Sequence, residues 1–320
     1  MIEAHDVFLV PEQFPTIQSA VDATRRPATI MVSPAAYDES VTVIDKEYLV
    51  IQSARFTRRG VTLTGQDGLS VIVIERSSLH LSGIEVRSDG LMRGIWVSDS
   101  RVSLQDCIVA GNRISFGGGA LLGAASGQES DPAQTSAFGA GMFCRRSSVR
   151  IQKSAIIGNT IGNITVRSNA AGASHASGND VDNSASAGVN QLDATRCEAR
   201  GGGLYFADCS VEIAGCTVQA NAVYSNGRAQ GGGIWCERSR LRMWRSRVTD
   251  NALRGHICEG AGIYFKDPLA CELGGSVITG NGAAEGEGSG IFVDGDSTRV
   301  GIHRNTAIRQ NHPDDTYPNR

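Results

Sequence analysis

Polar and apolar residues alternate along this chain in short runs, and the runs recur. From Arg200 to Asn251 one phrase appears twice. It reads Gly203-Leu204-Tyr205-Phe206, then Cys209-Ser210-Val211-x-Ile213-x-x-Cys216-x-Val218-x-x-Asn221. It returns as Gly233-Ile234-Trp235-Cys236, then Ser239-x-Leu241-x-Met243-x-x-Ser246-x-Val248-x-x-Asn251. Apolar positions two apart are strand spacing, and no copy shows the three-and-four spacing of a helix. The phrase occurs six times, opening at Gly94, Gly141, Gly203, Gly233, Gly262 and Gly290 and closing at Asn112, Asn159, Asn221, Asn251, Asn281 and Asn311. A single copy cannot bury its apolar face, so the copies must stack as coils of a β solenoid. The closing Asn is expected at a tight turn, in the left-handed conformation, with its amides paired along the stack.

The columns of this repeat predict faces. One residue after the Gly stand Ile95, Met142, Leu204, Ile234, Ile263 and Ile291. Three after it stand Val97, Cys144, Phe206, Cys236, Phe265 and Val293. Both columns have core composition. Between them runs an aromatic column, Trp96, Phe143, Tyr205, Trp235, Tyr264 and Phe292. Neighbouring strand side chains face opposite ways, so this column is expected to point outward as a stripe roughly 25 Å long. A stripe of that size is covered or used.

Earlier in the chain, Phe14–Arg26 is predicted as an amphipathic helix with Thr16 as N-cap and Ile17, Ala20, Val21 and Thr24 on one face. It would plug the open end of the solenoid. Strands follow at Thr29–Val32, Leu49–Ile51, Val61–Leu63 and Val71–Ile74, and Leu79–Val86 fits the second half of the repeat, with Asp89 at the Asn position. Eight or nine coils are expected. The run Phe14-Pro15-Thr16-Ile17-Gln18-x-Ala20-x-Asp22-Ala23, followed by Ile30-x-Val32-x-Pro34-x-x-Tyr37-x-Glu39-x-Val41, resembles the start of pectin methylesterases. The Gly-Gly-Gly-Ile coils closing on Asn resemble the pectate-lyase-like superfamily. The resemblance implies an all-β fold, a single-stranded right-handed parallel β-helix with a short N-terminal capping helix. It does not choose a chemistry. The esterase Gly-x-Val-Asp-Phe-Ile-Phe-Gly stretch, the polygalacturonase Asn-Thr-Asp set, the pectate-lyase Arg-x-Pro-x-x-Arg and the epimerase Asp-Pro-His-Asp are all missing.

With 320 residues, net charge −3 and 39 Gly, one turn-rich β domain over 1–320 accounts for the whole chain. It has a cap at 14–26 and a tail at 312–320. The charge gives no reason to expect nucleic acid or an anionic membrane. No apolar run is long enough for a membrane span, and no signal peptide is visible. The eight cysteines show no metal spacing, and Cys107 and Cys216 share a core column with Ser154, Ser246, Ser276 and Thr306. Buried free thiols in a reducing, cytoplasmic setting are the reading. No cofactor motif is present, and no metal site is expected.

Two insertions mark one edge. Between closing Asn and opening Gly, Arg113–Ala140 and Thr160–Gly202 take 28 and 43 residues, where later copies use 11, 10 and 8. Long loops in compact folds are functional or disordered. Four residues after each opening Gly come Ser98, Arg145, Ala207, Glu237, Lys266 and Asp294, and three before the later ones come Arg200, Gln230, Glu259 and Glu287. Aromatics flanked by acids and bases suit a saccharide cleft. The candidate acid/base pairs are Glu237 with Glu259, or His175 with Asp180 or Asp182. Arg145, Arg200 or Lys266 would bind a carboxylate or stabilise an enolate. Phe143, Tyr205, Trp235 and Tyr264 would carry the sugar rings. Cys197 and Cys258 are candidate nucleophiles, Cys258 with His256 and Glu259 beside it. The expectation is an enzyme acting on a saccharide or other polyhydroxylated ring, as a lyase, hydrolase or epimerase. The alternative is a non-catalytic module whose aromatic face binds a partner or a second copy.

Overall fold

The computed structural model describes residues 6–55, 60–66, 68–115, 136–162, 197–283 and 286–318. Every sheet is parallel, and each successive coil of the chain adds one strand to each of three long sheets. The back sheet has ten strands, from Asp6–Val10 to Val300–Ile302. The aromatic sheet has nine, from Val41–Ile44 to Thr316–Tyr317, and the side sheet nine, from Ala35–Tyr37 to Ala307–Arg309. This is a right-handed parallel β-helix, the hand that parallel crossovers take. Thr316–Tyr317, within the expected tail, pairs with Ile291–Phe292 and extends the aromatic sheet.

The register follows the sequence repeat residue for residue. Tyr205 lies opposite Trp235, and Trp235 opposite Tyr264. Ile and Val columns fill the interior, with Val211, Ile213, Leu241 and Met243 at most 2% exposed. The closing Asn residues form the expected ladder inside. Each backbone N–H and side-chain amide donates to the next Asn Oδ1, as from Asn221 to Asn251 at 3.0 Å, and the same amide donates to the Ile156 carbonyl. The ladder finishes on Asp315, which takes the place of a seventh Asn. At its other end Asp89 is exposed and does not join, so Asn112 Oδ1 has no partner.

One expectation is displaced by a residue. The left-handed positions are Gly111, Gly158, Ala220, Asp250, Gly280 and Gln310, each immediately before a closing Asn, and no closing Asn is among them. The Asn is buried because its amide spans coils, which its own turn conformation would not require. The opening Gly explains itself by close approach. A Cβ on Gly203 would lie 2.6 Å from the Gly233 carbonyl oxygen and 3.0 Å from the Asn221 amide carbon.

Helix Ile17–Ala23 caps the N-terminal end, with Thr16 and Ser19 forming a capping box and Ile17, Ala20 and Val21 buried. Glu39 accepts from the Ile17 and Gln18 amides at 2.8 and 2.9 Å, satisfying donors that a helix start leaves open. A further column runs along the corner after the aromatic sheet. Asp45, Arg76, Asp99, Arg146, Asp208, Arg238 and Asp267 all have positive φ and alternate in charge. Three bidentate pairs result, with Nε–Oδ1 distances of 2.7 Å for Arg76–Asp45, 2.6 Å for Arg146–Asp99 and 2.8 Å for Arg238–Asp208.

Candidate functional site

Both insertions leave and rejoin the helix at the same corner. Arg113–Ile114 and Thr160–Ile161 lie in a five-stranded sheet before them, and Ser136–Phe138 and Glu198–Arg200 in a four-stranded sheet after them. That four-stranded sheet turns into the aromatic sheet at Gly139, Gly201, Gly231 and Gly260, all with φ near +60° to +70°. The fold at this turn is tight, since a Cβ on Gly201 would sit 2.9 Å from Tyr205 Cβ. Strand alternation buries Ala137, Ala199, Ala229 and Cys258 in a small cluster of their own. It turns Phe138, Arg200, Gln230 and Glu259 toward the aromatic column as a wall.

The aromatic column does leave the main core, but it is not an exposed stripe. Trp235 is 1% and Tyr264 2% exposed, and Phe143, Tyr205 and Phe292 are buried. The rings pile face to face from Trp96 to Tyr317. Neighbours are 4.2 to 5.0 Å apart, except 6.2 Å between Tyr205 and Trp235, with interplanar angles of 3° to 17°. Wall residues close over them, with Phe138 at 5.1 Å from Tyr205 and the Arg200 guanidinium 4.8 Å from the Trp235 ring centre. Each ring face is already covered, so Phe143, Tyr205, Trp235 and Tyr264 do not offer the open faces that the expected stacking of sugars requires. An oligomer interface on that stripe loses its surface for the same reason.

The polar tips gather at the strand ends. Glu237, with its side chain 15% exposed, accepts from Tyr205 Oη at 3.2 Å and Trp235 Nε1 at 3.4 Å and is paired with Arg238. Burial, then the Glu237 charge, pushes the Tyr205 hydroxyl well above the usual phenol range, so it is a neutral donor. Asp294 repeats the pattern, accepting from Tyr264 Oη at 3.1 Å and pairing with Lys266. Burial and the charges of Glu259 and Asp294 raise the Tyr264 hydroxyl likewise. On the wall, Arg200 binds Glu198 at 2.7 Å and Gln230 at 3.3 Å, and Gln230 in turn donates to Glu259.

The sequence-derived candidates therefore separate. Glu237 and Glu259 stand on opposite sides of the ring column, and among the described residues no hydrogen bond joins them. Arg200 lies over the ring of Trp235, whose indole N–H meets Glu237. Lys266 belongs to Asp294. Arg145 sits two coils away over Trp96, its guanidinium 5.6 Å from the ring centre. His175, Asp180 and Asp182 lie outside the described residues. Cys258 is 1% exposed in the small inner cluster while His256 points outward, so that trio is not assembled. Its position in strand Ile257–Glu259, which reads as a loop in sequence, is the reason. Cys197 is half-buried, and all eight cysteines are free thiols. Among the described residues no cluster of His, Cys, Asp or Glu could hold a metal ion.

Sequence reasoning missed Arg93. It is 1% exposed and donates to the Phe138 and Gly139 carbonyls, at 2.8 Å each, on the outer edge of the four-stranded sheet. Its guanidinium lies 5.0 Å from Trp96 and 5.3 Å from Phe143, and burial pulls its pKa down to about 10. The available signal was size: the matching residues of later copies are Ala140, Gly202, Gly232, Ala261 and Ser289.

The fold and the side-chain contacts together define a parallel β-helix whose closed aromatic ladder runs between a wall carrying Phe138 and Arg200 and a row of charged residues at the strand ends. No family model matches the chain. No curated protein matches it either. Three solved structures are similar at low identity. The pectin methylesterase of Aspergillus niger in deglycosylated form shares 12% identity over 99% of this chain and 89% of its own, with TM-score 0.36. The alginate lyase of Paenibacillus sp. str. FPU-7 shares 11% over 92% and 95%, with TM-score 0.34. ORF18 of Geobacillus virus E2 shares 10% over 95% and 60%, with TM-score 0.37. Likenesses this distant carry no argument about activity, and the fold rests on the strand pairing itself. No helix among the described residues is long and apolar enough to cross a membrane.

Proposed function

We propose that the chain is a carbohydrate-active enzyme whose acid/base chemistry is centred on Glu237. The observation that carries this reading is the convergence of Tyr205, Trp235 and Arg238 on one partly exposed carboxylate, with Arg200 over the Trp235 ring. A carboxylate fixed in place by neighbouring donors is positioned to take a proton from a ligand that displaces one of them, and a nearby cation would stabilise the charge left behind. Arg200 would supply that cation, and Tyr205 a neutral donor. Glu259 and Asp294 would contact hydroxyls farther along. Eight free thiols support a reducing, cytoplasmic setting.

The test is turnover on uronic-acid oligomers, neutral oligosaccharides and small cyclic metabolites. Glu237→Gln should lower kcat by at least about 10²-fold with binding retained, and Tyr205→Phe by less. Full activity in Glu237→Gln would end this assignment. A second reading, a non-catalytic structural module, is favoured by the covered ring faces. It predicts no saturable saccharide binding at all.

A further inference from the structure

We infer that the N-terminal end of the aromatic ladder, at Trp96 and Arg145, is a subsite for one oxyanion group of the ligand: a carboxylate, sulfate or phosphate. The inference rests on taking the polar margin of the ladder as the ligand site, and it adds the charge of what enters there. Five described side-chain atoms are buried without a hydrogen-bond partner, and three of them belong to this end: Ser70 Oγ, Trp96 Nε1 and Arg145 Nε. Ser70 is the register partner of Arg93, and both Arg93 and Arg145 lie over the Trp96 indole. An unmet buried donor is costly, more so when charged, so several concentrated in one place signal a missing acceptor.

Charge points the same way. Arg93 spends its donors on neutral carbonyls, and among the described residues no carboxylate bonds Arg93 or Arg145. The acids that face this end are committed elsewhere. Asp99 is held in two bonds by Arg146 and accepts from Ser98, and Glu75 pairs with Arg76. Two guanidiniums over one indole, with only Asp99 among the described residues, already bonded to Arg146 and Ser98, as a nearby charge for Arg145, favour an incoming anion.

The ladder itself displays what is lacking. Trp235 Nε1 donates to Glu237, two residues on in the same strand. The residue two on from Trp96 is Ser98, whose hydroxyl turns to Asp99 instead. The ligand's oxyanion therefore takes, at Trp96, the place that the Glu237 carboxylate holds at Trp235. Indole N–H and guanidinium are donors only, which suits an acceptor-only group.

The experiment is calorimetric titration and thermal shift of the full chain at constant ionic strength. The probes are sodium sulfate, inorganic phosphate, acetate, glucuronate and glucose. Saturable binding of an anion is expected, weakened at least about tenfold by Trp96→Phe, which keeps the ring but removes the N–H, and by Arg145→Gln. Arg145→Lys, which keeps the charge, should bind better than Arg145→Gln. Saturation by glucuronate and acetate names a carboxylate ligand, and saturation by sulfate or phosphate alone names an ester of those acids. Absence of saturable binding by every anion probe, or binding that survives in both Trp96→Phe and Arg145→Gln, overturns the subsite. Glu237→Gln should bind the anion as the wild type does. Loss of the base assignment would thus appear in turnover, and loss of the subsite in titration.

Discussion

The two halves of the aromatic ladder share one backbone geometry and differ in how their polar tips are met. In the half built on Tyr205, Trp235 and Tyr264, every tip finds a carboxylate of the chain itself, Glu237 or Asp294. In the half built on Trp96 and Phe143, the flanking groups are Arg93 and Arg145, and indole and guanidinium donors stay unpaired. The rings thus hold the sheet together everywhere, while the groups around them decide what each stretch can receive. The column itself is closed, and its polar contacts are made by residues two places along the strand and three places before the opening Gly.

Three measurements bear on this contrast. The largest effect should come from Trp235→Ala, which empties a site 1% exposed and should cost about 3–5 kcal/mol in denaturant unfolding. Trp96→Ala, at a half-buried ring, should cost roughly 1–2 kcal/mol. Equal losses would mean that the halves do not differ in burial. A smaller effect is expected at alkaline pH. Tyr205 and Tyr264 have hydroxyls raised in the folded chain, so their contribution is complete below the unfolded value of about 10 and declines as pH rises past it. The buried thiols of Cys107 and Cys209, each raised to about 11, add a decline that begins lower. A Tyr205→Phe/Tyr264→Phe double variant should therefore diverge from the wild type only above about pH 10, by losing stability less steeply. Parallel curves throughout would remove the tyrosines from the account. The smallest effect is Arg145→Gln, which removes an unpaired buried donor and, in anion-free buffer, should change stability by no more than about 0.5 kcal/mol or increase it. A loss well above that would reveal a partner for Arg145 within the chain.

The helix, its cap and its register were readable because each is repetitive. Period-two columns name a strand, and thirty-residue spacing from Asn221 to Asn251 names a coil. The site was less readable because it depends on the turn at Gly201 and its equivalents. Alternation alone places Tyr205 and Trp235 off the main core, which is right. It says nothing of Arg200 and Phe138 folding back over them. The row of Ser98, Arg145, Glu237 and Lys266 was visible as a row, but its pairings were not, because Glu237 bonds sideways to Tyr205 and Arg238 and never meets Glu259. Cys258 was misplaced because three residues make too short a run to betray a strand.

The alternating corner has a consequence for how such a chain can change in length. Asp45, Arg76, Asp99, Arg146, Asp208, Arg238 and Asp267 give successive coils opposite sign, so the helix has a parity there that its one-coil backbone repeat lacks. Excising 208–237 would leave the backbone ladder continuous and bring Arg146 against Arg238. Each exposed pair is worth little by itself, and the swap replaces attraction by repulsion at that turn. Gain or loss of coils should therefore be tolerated in twos, and a single-coil change should require a compensating reversal of charge along the rest of that edge.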